Sequence, residues 1–227
     1  MSMNSMAPEW DTPDYRLQEQ HLFYTRVNGW VAATMLLCAV GAEIVGPHVP
    51  RAFMMPLYIV ALVAMIVAGI FHKTTKMATV FAVVIPFILG IILYPTLDFY
   101  TRSGNGSIIT EAAVGTCVTF ALMAVAAWKS TKALSHRVAT LMFFTLWGMI
   151  GISLLNAFVF HLRGVSFLVS IIALPLFCAY IYLDVQRVKN RTADNPIPPQ
   201  TYALNIFLDI FNLFVNLLQL FGFFSRS

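Results

Sequence analysis

One stretch of this 227-residue chain carries polar side chains at a spacing that chemistry could use: Asn205, Asp209, Asn212, Asn216 and Gln219 recur at intervals of four, three, four and three. On an α-helix that spacing puts all five on one face. The residues between them are almost entirely Leu, Ile, Phe and Val, so the stripe lies in a segment that shuns water. A carboxylate there needs a proton, a cation or a partner. A second carboxylate is at hand, because Asp184 closes the preceding apolar run. If the two runs are helices of opposite sense, both aspartates sit at similar depth. Two carboxylates held together cannot easily both ionise, so the pair can share one proton and titrate as a unit. That is the chemistry of a pH-sensitive latch. Lys73, at the end of an earlier apolar run on the same side, is placed to neutralise the pair when both are charged. Plainer readings stand beside these. Arg187, one turn after Asp184, can satisfy it as an i, i+3 ion pair. Lys73 can simply set topology, and the amides can be interhelical glue worth about 0.6 kcal/mol per contact.

The elements that must position these residues follow from composition. Apolar residues make up 59% of the chain and Asp, Glu, Lys and Arg only 11%, against about 25% charged in an ordinary soluble domain. Mean hydropathy is +0.78. Seven stretches reach the roughly 20 apolar residues needed to cross a bilayer: 27–46, 52–71, 77–97, 108–128, 138–160, 164–184 and 202–224. Continuous apolar runs without period-two alternation predict helices rather than barrel strands. The expected fold is thus an all-α membrane protein, with the polar seventh helix surrounded by the other six. Residues 1–26 form an amino-terminal polar segment and 27–227 one transmembrane domain. The acidic residues before position 20 do not suit a cleavable signal peptide.

Ten Lys and Arg residues fall on one side of these spans: Arg16, Arg26, Lys73, Lys76, Lys129, Lys132, Arg137, Arg187, Lys189 and Arg191. Four fall on the other. The positive-inside rule predicts a cytoplasmic amino terminus and an external carboxyl terminus, and short loops suggest a bacterial inner membrane. No basic stripe points to nucleic acid. Cys38, Cys117 and Cys178 lie singly in apolar runs and indicate neither disulfides nor zinc. Pro86 and Pro175, inside the third and sixth spans, are candidate hinges or static kinks. On the outer side, Glu43, Asp98 and Glu111 are either ordinary interfacial charges or, at a pore mouth, attractors of cations.

The segment 204–222, LNIFLDIFNLFVNLLQLFG, resembles the last helix of the Bax inhibitor-one, or transmembrane Bax-inhibitor-motif, family. Tyr182-Leu183-Asp184 with Gln186, Gly90 through Pro95, Glu111 with Gly115-Thr116 and Phe120, and Asn156-Ala157-Phe158 are similar to that family's other helices. The resemblance implies seven helices with the last enclosed by six, and activity as a pH-sensitive calcium leak. It also implies that Asp184 and Asp209 are the proton sensor, joined by a basic residue on the second helix. Lys73 occupies that position where close relatives carry arginine, and presents a point charge rather than a two-pronged fork.

The leading function is therefore a calcium leak with no resident cofactor. Asp184 and Asp209 gate it and are candidate calcium ligands, and Asn205, Asn212, Asn216, Gln219 and Glu111 contribute pore oxygens of the type calcium prefers. The partners expected are the lipid bilayer, calcium and protons, with other membrane proteins as candidates. The alternative is a regulator of a membrane protease or of stress and cell-death machinery that transports nothing. An aspartyl protease would share a proton in the same way, but Ile206-Phe207-Leu208 precedes Asp209 where those enzymes carry Gly-x-Gly. The chain is accordingly not expected to be an enzyme. A retinal protein needs a lysine in its last helix, and none occurs between Arg191 and Arg226.

Overall fold

The computed structural model describes residues 13–71, 74–131, 135–160, 162–191 and 197–225, and these are helical with no strand among them. In chain order the helices are α1 (Pro13–Val40), α2 (Met54–Phe71), α3 (Thr75–Arg102), α4 (Ser107–Lys129), α5 (His136–Leu155), α6 (Arg163–Lys189) and α7 (Pro199–Phe224). Seven helical segments are long and apolar enough to cross a membrane, as the hydropathy pattern requires. The first starts earlier than expected. Residues 13–26 continue the span as helix, because Pro13 suits a first helical turn and nothing polar after it breaks the backbone pattern. The ends are ordered by local chemistry: Ser135 Oγ accepts the Arg137 N–H at 3.3 Å to cap α5, and Pro199 opens α7. Pro86 and Pro175 both lie inside uninterrupted helices.

The expected ring of six around α7 takes a less even form. α7 packs broadly on α1, α3, α4 and α6, whereas α2 packs chiefly on α3, and α5 on α6. The outer positions of α2 and α5 explain their surfaces, where Ile59, Ile66, Ile70, Leu141, Phe144 and Trp147 are all exposed. In a bilayer such residues face lipid at no cost, since hydrocarbon is as apolar as leucine. Burial concentrates on α3, where Ala82 and Ile85 are fully enclosed, and on α7, where Phe207, Leu213 and Leu218 are almost so.

α1 leaves regular geometry just where it meets α3. A π-helical turn at Gly41–Val45 passes so close to α3 that a Cβ on Gly90 would collide with the Cys38 carbonyl, and one on Gly41 with the Phe87 carbonyl. Small residues permit this backbone approach in membranes. Gly90→Ala is expected to lower stability by about 1–3 kcal/mol, read as a fall in thermal unfolding temperature in detergent. No change would mean that the α1–α3 contact is not tight.

Further along α3, near its carboxyl end, the buried Tyr100 hydroxyl donates to the Leu218 carbonyl at 3.3 Å. A Cβ on Gly222 would land on that hydroxyl, so the last third of α7 is held directly against α3. On the same side of the bundle, buried Asn156 clamps the α5–α6 turn. Its Nδ2 donates to the Leu162 carbonyl at 3.1 Å and to Ser166 Oγ at 3.0 Å, and its Oδ1 accepts the Leu162 N–H at 2.9 Å.

Candidate functional site

The most unusual chemistry lies where α6 ends and α7 begins. These helices run antiparallel and make the most extensive contact in the molecule. That juxtaposition brings the two aspartates together, five residues before the end of α6 and ten after the start of α7. Asp184 is 4% exposed and Asp209 7%. Their charges interact with each other and with that of Arg187, and Tyr180 lies within electrostatic reach of both carboxylates.

The two carboxyls are treated differently. Asp184 Oδ1 accepts from Arg187 Nη1 at 2.7 Å, across one turn of α6. The helix itself sets this spacing, because residues three apart share a face. Asp209 Oδ2 is buried and has no hydrogen-bond partner among the described residues. An oxygen so placed loses its hydration without compensation unless it carries a proton or meets a cation. Among the described residues the cation at the pair is therefore Arg187, the local partner. Lys73, expected to join the pair, lies outside the described residues.

The remaining members of the polar stripe separate into distinct roles. Asn212 Nδ2 donates to the Leu208 carbonyl at 2.7 Å, and Asn216 Nδ2 to the Asn212 carbonyl at 2.8 Å. Both amides turn back onto their own helix, the usual means of satisfying a short polar side chain within one element. Gln219 does bridge helices, its Oε1 accepting from Ser170 Oγ at 3.0 Å. Asn205 lines a cavity of about 340 Å³ between α2, α3 and α7, which Arg187 also lines. Glu111 stands apart. It is exposed near the start of α4, at the opposite end of the bundle from the aspartates.

As a calcium site the aspartate pair is incomplete. Calcium takes about 6–8 oxygens, and no group of three or more His, Cys, Asp or Glu side chains converges among the described residues.

Three sets of contacts escaped the sequence reading. Gln186, part of the family resemblance, is buried on α6, its Nε2 donating to the Tyr182 hydroxyl one turn earlier at 3.0 Å. Further along, Arg191 bonds Glu19 at 2.8 Å and lies 4.0 Å from the centroid of the Phe23 ring, tying α1 to the end of α6. Lys189 Nζ reaches the carbonyls of Trp128 and Ser130 at 2.6 and 3.0 Å and closes the end of α4. The only sequence signal for the contacts of Lys189 and Arg191 was positive charge at the end of α6, which topology alone already explained.

Comparison with known proteins adds a family. A family model described as Bax1-I, Inhibitor of apoptosis-promoting Bax1, matches residues 20–226. A Helicobacter pylori protein named "Uncharacterized protein" is 31% identical over 138 residues, 60% of this chain and 57% of that one. A Borreliella burgdorferi protein of the same name is 29% identical over 164 residues, 69% and 68% of the two chains. "Uncharacterized protein YrjE" of Lactococcus lactis is 26% identical over 214 residues, 92% and 88%. The chain thus spans a little over half the length of the Helicobacter relative.

Proposed function

The chain belongs to the Bax1-I family, and on that premise we propose that it is a pH-sensitive calcium leak gated by the Asp184–Asp209 pair. The observation that carries this reading is the buried Asp209 Oδ2, without a partner among the described residues, beside a second buried carboxylate held by Arg187. With one proton shared between the carboxylates and one guanidinium at their edge, the group is close to neutral and the helices stay together. When the proton leaves, two negative charges face each other in a low-dielectric setting and push α6 and α7 apart.

The movement is confined to the inner half of α7. Tyr100 and Gly222 fix the outer half on α3, whereas the inner half borders the cavity at Asn205. We place that half on the cytoplasmic side of a bacterial inner membrane, following the distribution of Lys and Arg. The amino terminus is then cytoplasmic and the carboxyl terminus external. Calcium is the transported ion, and neither catalysis nor a resident cofactor is part of the reading.

The family description favours a second reading, in which the protein regulates a partner and carries no ion. Calcium flux into liposomes containing only the purified chain, measured over a pH series, separates the two. The leak predicts flux that is low in acid and rises as the pH is raised. Absence of flux at every pH, with flux present in cells, would establish the regulator instead.

A further inference from the structure

The cavity beside Asn205 joins an apolar lining to one charged side chain. Its walls are mostly apolar, with Met65 and Ala68 from α2, Phe81 from α3 and Leu208 from α7, while Arg187 supplies a cation at one end. It reaches the outside of the bundle at α2. Gly69 lines the cavity and is itself exposed. A Cβ built there would meet nothing within 4 Å, and neighbouring Ile66 and Ile70 are 43% and 66% exposed. A cavity of about 340 Å³ that opens beside a lipid-facing helix therefore has a charged end and a greasy wall.

Arg187 has capacity left for a ligand. A guanidinium offers five N–H donors in a planar fork, and its side chain is 53% exposed although Nη1 is bonded to Asp184. The amino-terminal turn of α7, which lines the cavity at Thr201, adds partial positive charge. One proton shared by the two carboxylates would keep the nearby negative charge matched by the guanidinium. We propose that this cavity binds an anionic phospholipid of the adjoining leaflet, its phosphate on Arg187 and an acyl chain along Met65 and Ala68. The guanidinium N–H donors not engaged by Asp184, together with the amino-terminal turn of α7, select the phosphate, and the apolar wall opening beside α2 selects a lipid over a free anion.

The proposal deepens the gate described above and rests on Arg187 being part of it. A phosphate on Arg187 competes with Asp184 for the same fork, so lipid charge would bear on the latch. Lipid binding is nevertheless measured separately from flux. Lipid preference without pH-dependent flux would defeat the gate alone, and pH-dependent flux without lipid preference would defeat the lipid site alone.

The test is native mass spectrometry of the full chain, released from micelles holding equal amounts of phosphatidylglycerol and phosphatidylcholine with identical acyl chains. The wild-type protein is expected to retain phosphatidylglycerol about tenfold over phosphatidylcholine, the size expected of one charge-assisted contact. Arg187→Gln is expected to bring the ratio to parity, and Arg187→Lys to keep part of it. Gly69→Phe, which fills the opening without touching the cation, is expected to reduce retained phosphatidylglycerol and covers the case in which Arg187→Gln fails to fold. No preference in the wild-type protein would overturn the proposal, as would a preference that survives in either Arg187→Gln or Gly69→Phe. Displacement of the lipid by millimolar inorganic phosphate would show a free-anion site instead.

Discussion

Asp209→Asn is expected to abolish the rise of calcium flux with pH, leaving a low flux that is the same in acid and in mild alkali. The substitution keeps the size and polarity of the side chain but fixes it in a neutral state. Asp184 then remains alone with Arg187, 2.7 Å away, and no second negative charge can develop opposite it. If deprotonation changes the open-to-closed ratio by about one to two decades, or roughly 1.4–2.8 kcal/mol, the variant loses that whole factor at the alkaline end. Flux in liposomes over a pH series is the measurement. A variant that keeps the wild-type pH dependence would remove Asp209 from the sensor. Stability should suffer little, because the amide leaves no charge at an oxygen site that has no partner among the described residues.

Arg187→Gln acts on the same pair from the other side, and here stability does fall. Asp184 is almost fully enclosed, and removing its cation leaves a buried carboxyl with one polar contact fewer. Breaking a fully buried pair costs about 3–5 kcal/mol. Because the guanidinium is half in solvent, a loss of about 1–3 kcal/mol is the better expectation. The variant also has a functional signature that a merely structural role would not produce. Without the guanidinium the doubly ionised state loses its counter-charge, so opening should require a pH higher by roughly one unit. Arg187→Lys should recover part of both effects. An unshifted flux curve in a less stable protein would make the ion pair structural only.

How far the sequence carries to this site depends on how local each contact is. The seven spans and the polar face of α7 are one-dimensional patterns, and both were legible because hydropathy and helical periodicity need no knowledge of neighbours. The Arg187 contact was equally legible as an i, i+3 pair. The destinations of the amides were not. Asn212 and Asn216 bond their own helix while Gln219 crosses to Ser170, and the same spacing is compatible with either choice. The close approach of α1 and α3 at Gly41 and Gly90 was hidden for a related reason, since glycine in a membrane helix signals nothing until the opposing backbone is known. Helix order around α7 was read too evenly. α2 and α5 are as apolar as the others, and only their exposure places them at the periphery.

The central claim is that Asp184 and Asp209 hold one proton between them when the leak is closed and lose it on opening. Infrared difference spectroscopy of the purified protein in liposomes, titrated alongside calcium flux, tests this most directly. The account predicts a protonated-carboxyl band that disappears over the same pH interval in which flux rises, and that is missing from Asp209→Asn. A band that is absent in acid, or that titrates without any change in flux, would contradict it.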